Sequence, residues 1–133
     1  MSIDRGRILV GISSWADASL IESHAFYPAE TKTPAERLRY YSGIFHIAEI
    51  DSSFHFFPTS RNLELWLDNT PAGFTFHLKA FSLFTQHPTA FNAIPRTLRT
   101  GIEEKPGNVY LHQLPKNTAD SLWQAFADDI RSV

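Results

Sequence analysis

Ionisable side chains recur at alternate positions in two apolar runs, an arrangement that can bring acid–base chemistry to one face of a sheet. Glu49 and Asp51 stand two positions apart in the first run, and His77 and Lys79 stand two apart in the second. Side chains alternate between the faces of a strand, so each pair is expected to share a face. A carboxylate placed there is suited to act as a general base, and Lys79 is suited to stabilise a developing anion or a substrate carbonyl.

The same charges also allow a purely structural interpretation. Glu49 and Lys79 can form an ion pair between adjacent strands, retained because losing one partner would leave a buried charge at a cost of about 3–5 kcal/mol. Alternation is also a weaker guide in parallel strands that are buried on both faces. Both interpretations, catalytic cluster and scaffolding ion pair, stay open at the level of sequence.

Residues near the predicted strand ends extend this candidate site. His87 begins the long connection after the third predicted strand, where it is either a proton shuttle or a surface histidine. Aromatic residues near strand ends can line a pocket or anchor loops in the core. The predicted catalytic residues are Glu49, Asp51, Lys79 and His87. The predicted substrate-binding residues are Ser13, Trp15, Ser53, Phe54 and His77.

Metal and nucleotide chemistry have weaker support in the sequence. Oxygen and imidazole ligands suit Mg, Mn or Zn, and a metal set can be assembled from Glu49, Asp51, His55, His77 and His87. However, no H-E-x-x-H or H-x-H spacing anchors such a set, so no metal ligand is assigned and the cofactor stays unknown. The chain also lacks a G-x-S-x-G elbow, a G-x-G-x-x-G loop and a P-loop.

Composition narrows the class of protein. A length of 133 residues predicts one domain, and the formal charge of −2 gives no general attraction to nucleic acid or membrane. The absence of cysteine excludes disulfides and thiolate metal sites. Aromatic residues make up 14% of the chain and can build a hydrophobic core. With no apolar stretch approaching the roughly 18 residues of a spanning helix, we expect a cytoplasmic protein.

Strand and helix signals alternate along the chain, as in α/β proteins with parallel sheets. Thr33-Pro34-Ala35-Glu36 combines a cap, a first-turn proline and a capping box, and predicts a helix that Gly43 ends. A second helix with Leu63, Trp66 and Leu67 on one face is expected after Thr59 or Ser60. Strands are predicted at 8–12, 47–51 and 75–81, a long connection follows to residue 116, and Asn117 is expected to cap the last helix.

Ordered motifs along most of the chain resemble the YecE-like family, domain of unknown function 72. They are VGISSW at 10–15, FYP at 26–28, ERLRYY at 36–41, EIDSSF at 49–54, Trp66 with Thr70-Pro71, FHLKA at 76–80 and TQHP at 85–88. The resemblance implies a TIM-type (β/α) barrel without an assigned reaction. Because such a barrel needs about 250 residues, the chain is expected to be a single domain over residues 1–133 that forms the N-terminal part, with about three to four of eight units. Asp51 and His55 depart from the asparagine and tyrosine common in the family.

Two functional hypotheses follow. The first is an enzyme that acts on a small polar substrate, a sugar or a phosphoester, with a metal-dependent phosphodiesterase or nuclease-like domain as its metal-using variant. The second is a truncated, non-catalytic half-barrel that self-associates as a homo-oligomer, because an incomplete barrel leaves strand edges with unpaired backbone groups. Neither hypothesis involves a membrane, and nucleic acid is an unlikely partner on charge grounds.

Overall fold

The structure is a computed structural model that describes residue 6, residues 8–104 and residues 107–131. Its helices are α1 (Ala18–Glu22), α2 (Pro34–Ser42), α3 (Ser60–Asp68) and α4 (Lys116–Arg131). Its strands are β1 (Ile47–Ile50), β2 (Thr75–Leu78), β3 (Thr89–Ala90) and β4 (Asn108–Val109). Short 3₁₀ turns cover Asp51–Phe54, Ser82–Thr85, Phe91–Ala93, Arg96–Leu98 and Leu111–Gln113. The mixed α/β class expected from the sequence is confirmed.

The described chain divides into two compact units. The first comprises the described residues up to Ile50 together with Trp66–His77, and it contains β1 and most of β2, which form a parallel pair. The second comprises Asp51–Leu65 and the described residues from Leu78 onwards, and it contains the β3–β4 ribbon and α4.

Helix α2 forms as its local sequence predicts. The Thr33 side chain accepts a hydrogen bond from the Glu36 N–H, and the Glu36 carboxylate accepts one from the Thr33 N–H, which completes the capping box. Hydrogen bonds from the backbone N–H groups of Thr33 and Lys32 to the Glu36 carboxylate lower the pKa of Glu36, because they favour its ionised form. Gly43 ends the helix, and Leu38 and Tyr41 are both buried on its inner side.

The Tyr41 hydroxyl joins the segment before α1 to the start of β1. It accepts a hydrogen bond from the Ile12 N–H and donates one to the Ile47 C=O, each at 2.8 Å. The phenol thus bridges the Ile12 N–H and the Ile47 C=O, two groups that would hydrogen-bond to each other directly in a regular parallel ladder. Burial raises the pKa of Tyr41, and the hydrogen bond from Ile12 opposes that rise.

The first predicted strand differs from the expectation. Segment 8–12 forms no named strand and leads into one parallel bridge between Ser13 and Glu49. An apolar, β-branched run of this kind is typical of a parallel strand buried on both faces, but Ile8 is 91% exposed and Val10 is 68% exposed, so the prediction of such a strand was wrong. Gly11 permits the close approach to β1, because a Cβ at that position would lie 2.0 Å from the Ile47 carbonyl oxygen.

The two strands that carry the predicted site are shorter than expected. β1 ends at Ile50 and β2 ends at Leu78, so Asp51 and Lys79 each come directly after a strand rather than within it. The burial pattern of β1 follows the expected alternation, with Ala48 and Ile50 buried. β1 ends there because Asp51 begins a 3₁₀ turn, which takes the backbone out of the sheet.

Helix α3 begins with Thr59 as its cap. The Asn62 N–H donates to the Thr59 side-chain oxygen at 3.2 Å, as expected of a threonine in the capping position. Leu63 is buried as predicted, but Leu67 is 47% exposed, so the expected apolar face is narrower than the sequence spacing indicated.

The long connection after β2 is structured and belongs to the core of the second unit. Phe81, Leu83 and Ile94 are almost completely buried and pack with residues of β4 and α4. β3 and β4 pair antiparallel, with Thr89 opposite Val109. Helix α4 starts at Lys116, so Asn117 lies inside the helix and its predicted capping role was wrong.

Replacing Tyr41 with Phe should lower the free energy of unfolding by about 1–2 kcal/mol, because both hydrogen bonds of the hydroxyl are lost while the ring volume is kept. Chemical denaturation measures this change. Tyr40→Phe is the matched control, since Tyr40 is 36% exposed on the same helix. That control should stay within about 0.5 kcal/mol of the original protein. Equal effects of the two substitutions would contradict the joining role of the Tyr41 hydroxyl.

Candidate active site

Asp51 and Lys79 meet in the second unit. Asp51 is the first residue after β1, and Lys79 is the first residue after β2. The Asp51 carboxylate and the Lys79 ammonium form an ion pair, with 48% and 39% of the two side chains exposed. The pair is therefore half-open to solvent, where ion pairs stabilise a fold by about 1 kcal/mol at most. An ammonium held beside a carboxylate at this position remains accessible to a ligand.

The 3₁₀ turn Asp51–Phe54, named here the 51–54 turn, positions Lys79 through its main chain. The Ser53 hydroxyl donates a hydrogen bond of 2.7 Å to the Lys79 backbone carbonyl, and Ser53 is only 1% exposed. The predicted substrate-binding Ser53 thus holds the main chain of a predicted catalytic residue. Nothing in the sequence pattern distinguishes these two roles, because both require a serine next to a strand end.

Phe54, at the end of the same turn, packs against His87. The two ring centroids lie 5.3 Å apart in an edge-to-face arrangement. This arrangement is favourable for aromatic pairs. His87 Nδ1 also lies 2.9 Å from the Thr85 hydroxyl oxygen. The 51–54 turn therefore connects four of the predicted residues of the second unit, Asp51, Ser53, Phe54 and His87, and it fixes Lys79.

The first unit holds a second polar cluster. Ser13, Glu49 and His77 line one open groove of about 270 Å³, together with small and apolar residues. The Ser13 hydroxyl donates to the Glu49 carboxylate at 3.1 Å. Of the two predicted pairs, Glu49 and His77 thus line this groove, whereas Asp51 and Lys79 belong to the second unit. The three polar residues of the groove offer a carboxylate, a hydroxyl and an imidazole to a small molecule.

Trp15 lies in the core of the first unit. It is 7% exposed and packs edge-to-face with Trp66 and Phe76, at centroid distances of 5.9 and 6.1 Å. Its indole N–H is buried and has no hydrogen-bond partner among the described residues. Trp15 therefore supports the fold of the segment that carries Ser13, and the core interpretation of this aromatic residue is the one that its burial favours.

The described residues hold no preformed cluster of metal-ligating side chains. Within residues 6, 8–104 and 107–131, no three His, Asp or Glu side chains are grouped so that they could hold a metal ion. His55 and His77 are exposed.

A parallel strand pair together with four helices places the described chain in the mixed α/β class. The chain belongs to the family described as protein of unknown function DUF72, whose model matches residues 9–133. It is 36% identical over 80 residues to the UPF0759 protein YunF of Bacillus subtilis strain 168, a match that covers 60% of this chain and 26% of that protein. The chain thus matches about a quarter of the length of this relative.

No solved structure matches the chain. Every helix in the described ranges is too short or too polar to cross a membrane.

A double-mutant cycle tests whether the Asp51–Lys79 pair mainly stabilises the fold or leaves Lys79 available to a ligand. With Asp51→Asn and Lys79→Met, we expect a coupling energy below about 1 kcal/mol that falls as salt is added, because the pair is half-exposed. Chemical denaturation of the four proteins measures this coupling.

The exposed Lys116–Asp120 pair of α4 is the matched control. Its expected coupling is about 0.3–0.5 kcal/mol, as for other pairs four positions apart on a helix. A salt-independent coupling of about 3 kcal/mol or more at Asp51–Lys79 would mean that the pair is mainly a structural element.

Proposed function

We propose that this chain is the N-terminal part of a TIM-type (β/α) barrel enzyme, with about three to four of the eight units, that acts on a small polar substrate such as a sugar or a phosphoester. Membership of the family supports the proposal, as does the βαβ arrangement of β1, α3 and β2. A cytoplasmic location is part of the same proposal.

One observation carries the proposal: Asp51 and Lys79 each follow a parallel strand directly, and their side chains meet. In barrel enzymes the catalytic residues come from the carboxyl ends of several strands. The pair places a cation where a developing negative charge on substrate oxygen would be stabilised. The Asp51 carboxylate orients that cation, and His87 of the same unit supplies an imidazole that can accept or donate a proton.

The groove of the first unit supplies a second set of polar groups. The Glu49 carboxylate is a candidate general base, and its hydrogen bond from Ser13 orients it. Ser13 and His77 line the same groove and are suited to bind substrate hydroxyl groups. A carboxylate repels phosphate, so this groove favours an uncharged polyol over a phosphoester.

Hydrolysis of chromogenic substrates tests the proposal, using para-nitrophenyl glycosides in one panel and para-nitrophenyl phosphodiesters in the other. We expect turnover in one panel, with kcat/KM lowered on the order of 10²–10⁴-fold by Asp51→Asn or by Lys79→Met. Lys116→Met is the matched control and should keep the original rate, because Lys116 lies on the exposed surface of α4.

Equal rates for Lys79→Met and Lys116→Met would contradict the assigned site. Turnover of phosphodiesters that a chelator abolishes would instead support the metal-dependent phosphodiesterase alternative.

A second candidate function, self-association without catalysis, is supported by the exposed apolar segment 8–12, which leads into the bridge between Ser13 and Glu49 of β1. Ile8 and Val10 are the most exposed large apolar side chains of this segment. Edge strands with free backbone groups invite pairing with another chain. Sedimentation at tens of micromolar should then show a homodimer or larger oligomer. Val10→Lys should dissociate it, because an edge lysine opposes strand pairing. A monomer before substitution would contradict this candidate.

A further inference from the structure

His87 has an exposed side chain on a main chain that buried residues hold in place. Its N–H donates to the Ser82 C=O at 3.0 Å, and its C=O accepts from the Thr89 hydroxyl at 3.2 Å. Ser82 and Thr89 are 5% and 2% exposed, and their hydroxyl oxygens are 2.7 Å apart. Gln86 has a left-handed backbone with φ of 62°, which reverses the chain between Thr85 and His87. The backbone of His87 is therefore held in place by hydrogen bonds to two buried residues.

The hydroxyl of Thr85 makes two contacts but has one hydrogen to donate. Its oxygen lies 3.0 Å from the Ser82 carbonyl oxygen and 2.9 Å from His87 Nδ1. A carbonyl only accepts hydrogen bonds, so the Thr85 hydrogen must point to Ser82. If it pointed to Nδ1 instead, two oxygen lone pairs would face each other at 3.0 Å. Both contacts are favourable only when Nδ1 carries a hydrogen and donates it to Thr85.

We infer that Thr85 is a positioning residue that holds neutral His87 in the Nδ1–H tautomer, so that Nε2 presents its lone pair as a proton acceptor. Two contacts fix the plane of the His87 ring. One is the hydrogen bond with Thr85, and the other is the edge-to-face contact with Phe54, at 5.3 Å between ring centroids. The partner that this acceptor selects is a hydroxyl group, because a neutral imidazole nitrogen with a lone pair binds an O–H donor. Sugars, polyols and water all offer such an O–H donor.

The chemical consequence rests on the proposed function. When a substrate hydroxyl reacts, its O–H bond breaks, the proton forms a new bond to Nε2, and the oxygen keeps the electron pair. The resulting imidazolium still donates from Nδ1 to Thr85, so the hydrogen bond persists while the positive charge forms. The tautomer itself is a property of the folded chain and does not depend on turnover.

Nitrogen-15 NMR of the histidine rings reads the tautomer directly, at a pH about two units above the ordinary histidine pKa of roughly 6.5. His87→Gln assigns the signals, and His112, which is exposed, serves as an internal reference. We expect His87 to show a protonated Nδ1 and an unprotonated Nε2. Thr85→Val should make the Nε2–H tautomer predominate, as in free histidine, and Thr85→Ser should restore the Nδ1–H form.

A protonated Nε2 in the original protein would overturn the inference, as would an unchanged tautomer in Thr85→Val. Since these readouts need no substrate, they are separable from the proposed function. An Nδ1–H tautomer together with no turnover in either substrate panel would sustain the role of Thr85 and contradict the enzyme proposal alone.

Discussion

One partly buried hydrogen bond, from the Ser53 hydroxyl to the Lys79 carbonyl, organises the candidate active site of the second unit. It ties the 51–54 turn to the residue that follows β2. A hydrogen bond of this kind contributes only about 0.5–1.5 kcal/mol to stability. Its larger effect is positional, because the same turn carries Asp51 to the Lys79 ammonium and Phe54 to the His87 ring.

The parts of the fold that follow from short stretches of sequence were predictable. The capping box of α2 depends on residues three positions apart, and the burial of Ala48 and Ile50 depends on simple alternation. Segment 8–12 was misjudged because an apolar β-branched run indicates a buried strand only when partners cover both sides. Its apolar residues face solvent, and the Tyr41 phenol substitutes for part of the ladder.

The packing of the long connection could not be predicted from its sequence. Phe81 and Leu83 pack with Leu122 and Phe126 of α4, about forty positions away, and no local pattern specifies such a contact. Prolines in the connection indicated a loop, whereas the chain uses short 3₁₀ turns and the β3–β4 ribbon to bury these residues. The extent of the last helix was recognisable from its periodicity, but its first residue was not.

For the candidate site, residue types were predictable and their partners were not. The sequence analysis proposed Lys79 and the carboxylates, but the anchoring by Ser53 and the contact between Thr85 and His87 emerged only from the geometry. A hydroxyl two positions before a histidine is a weak signal, because it becomes meaningful only when the backbone turns between them, as it does at Gln86. By contrast, the groove that Ser13, Glu49 and His77 line is formed by residues that were chosen for their positions along the predicted strands.

The most direct test of this account is the proton–proton nuclear Overhauser effect between the Phe54 and His87 rings, measured in the original protein and in Ser53→Ala. The account predicts cross-peaks in the original protein, their loss or marked weakening in Ser53→Ala, and their retention in Ser52→Ala, which changes an exposed neighbour. Cross-peaks of unchanged intensity in Ser53→Ala, or their absence from the original protein, would contradict the claim that the 51–54 turn, anchored by Ser53, assembles the site.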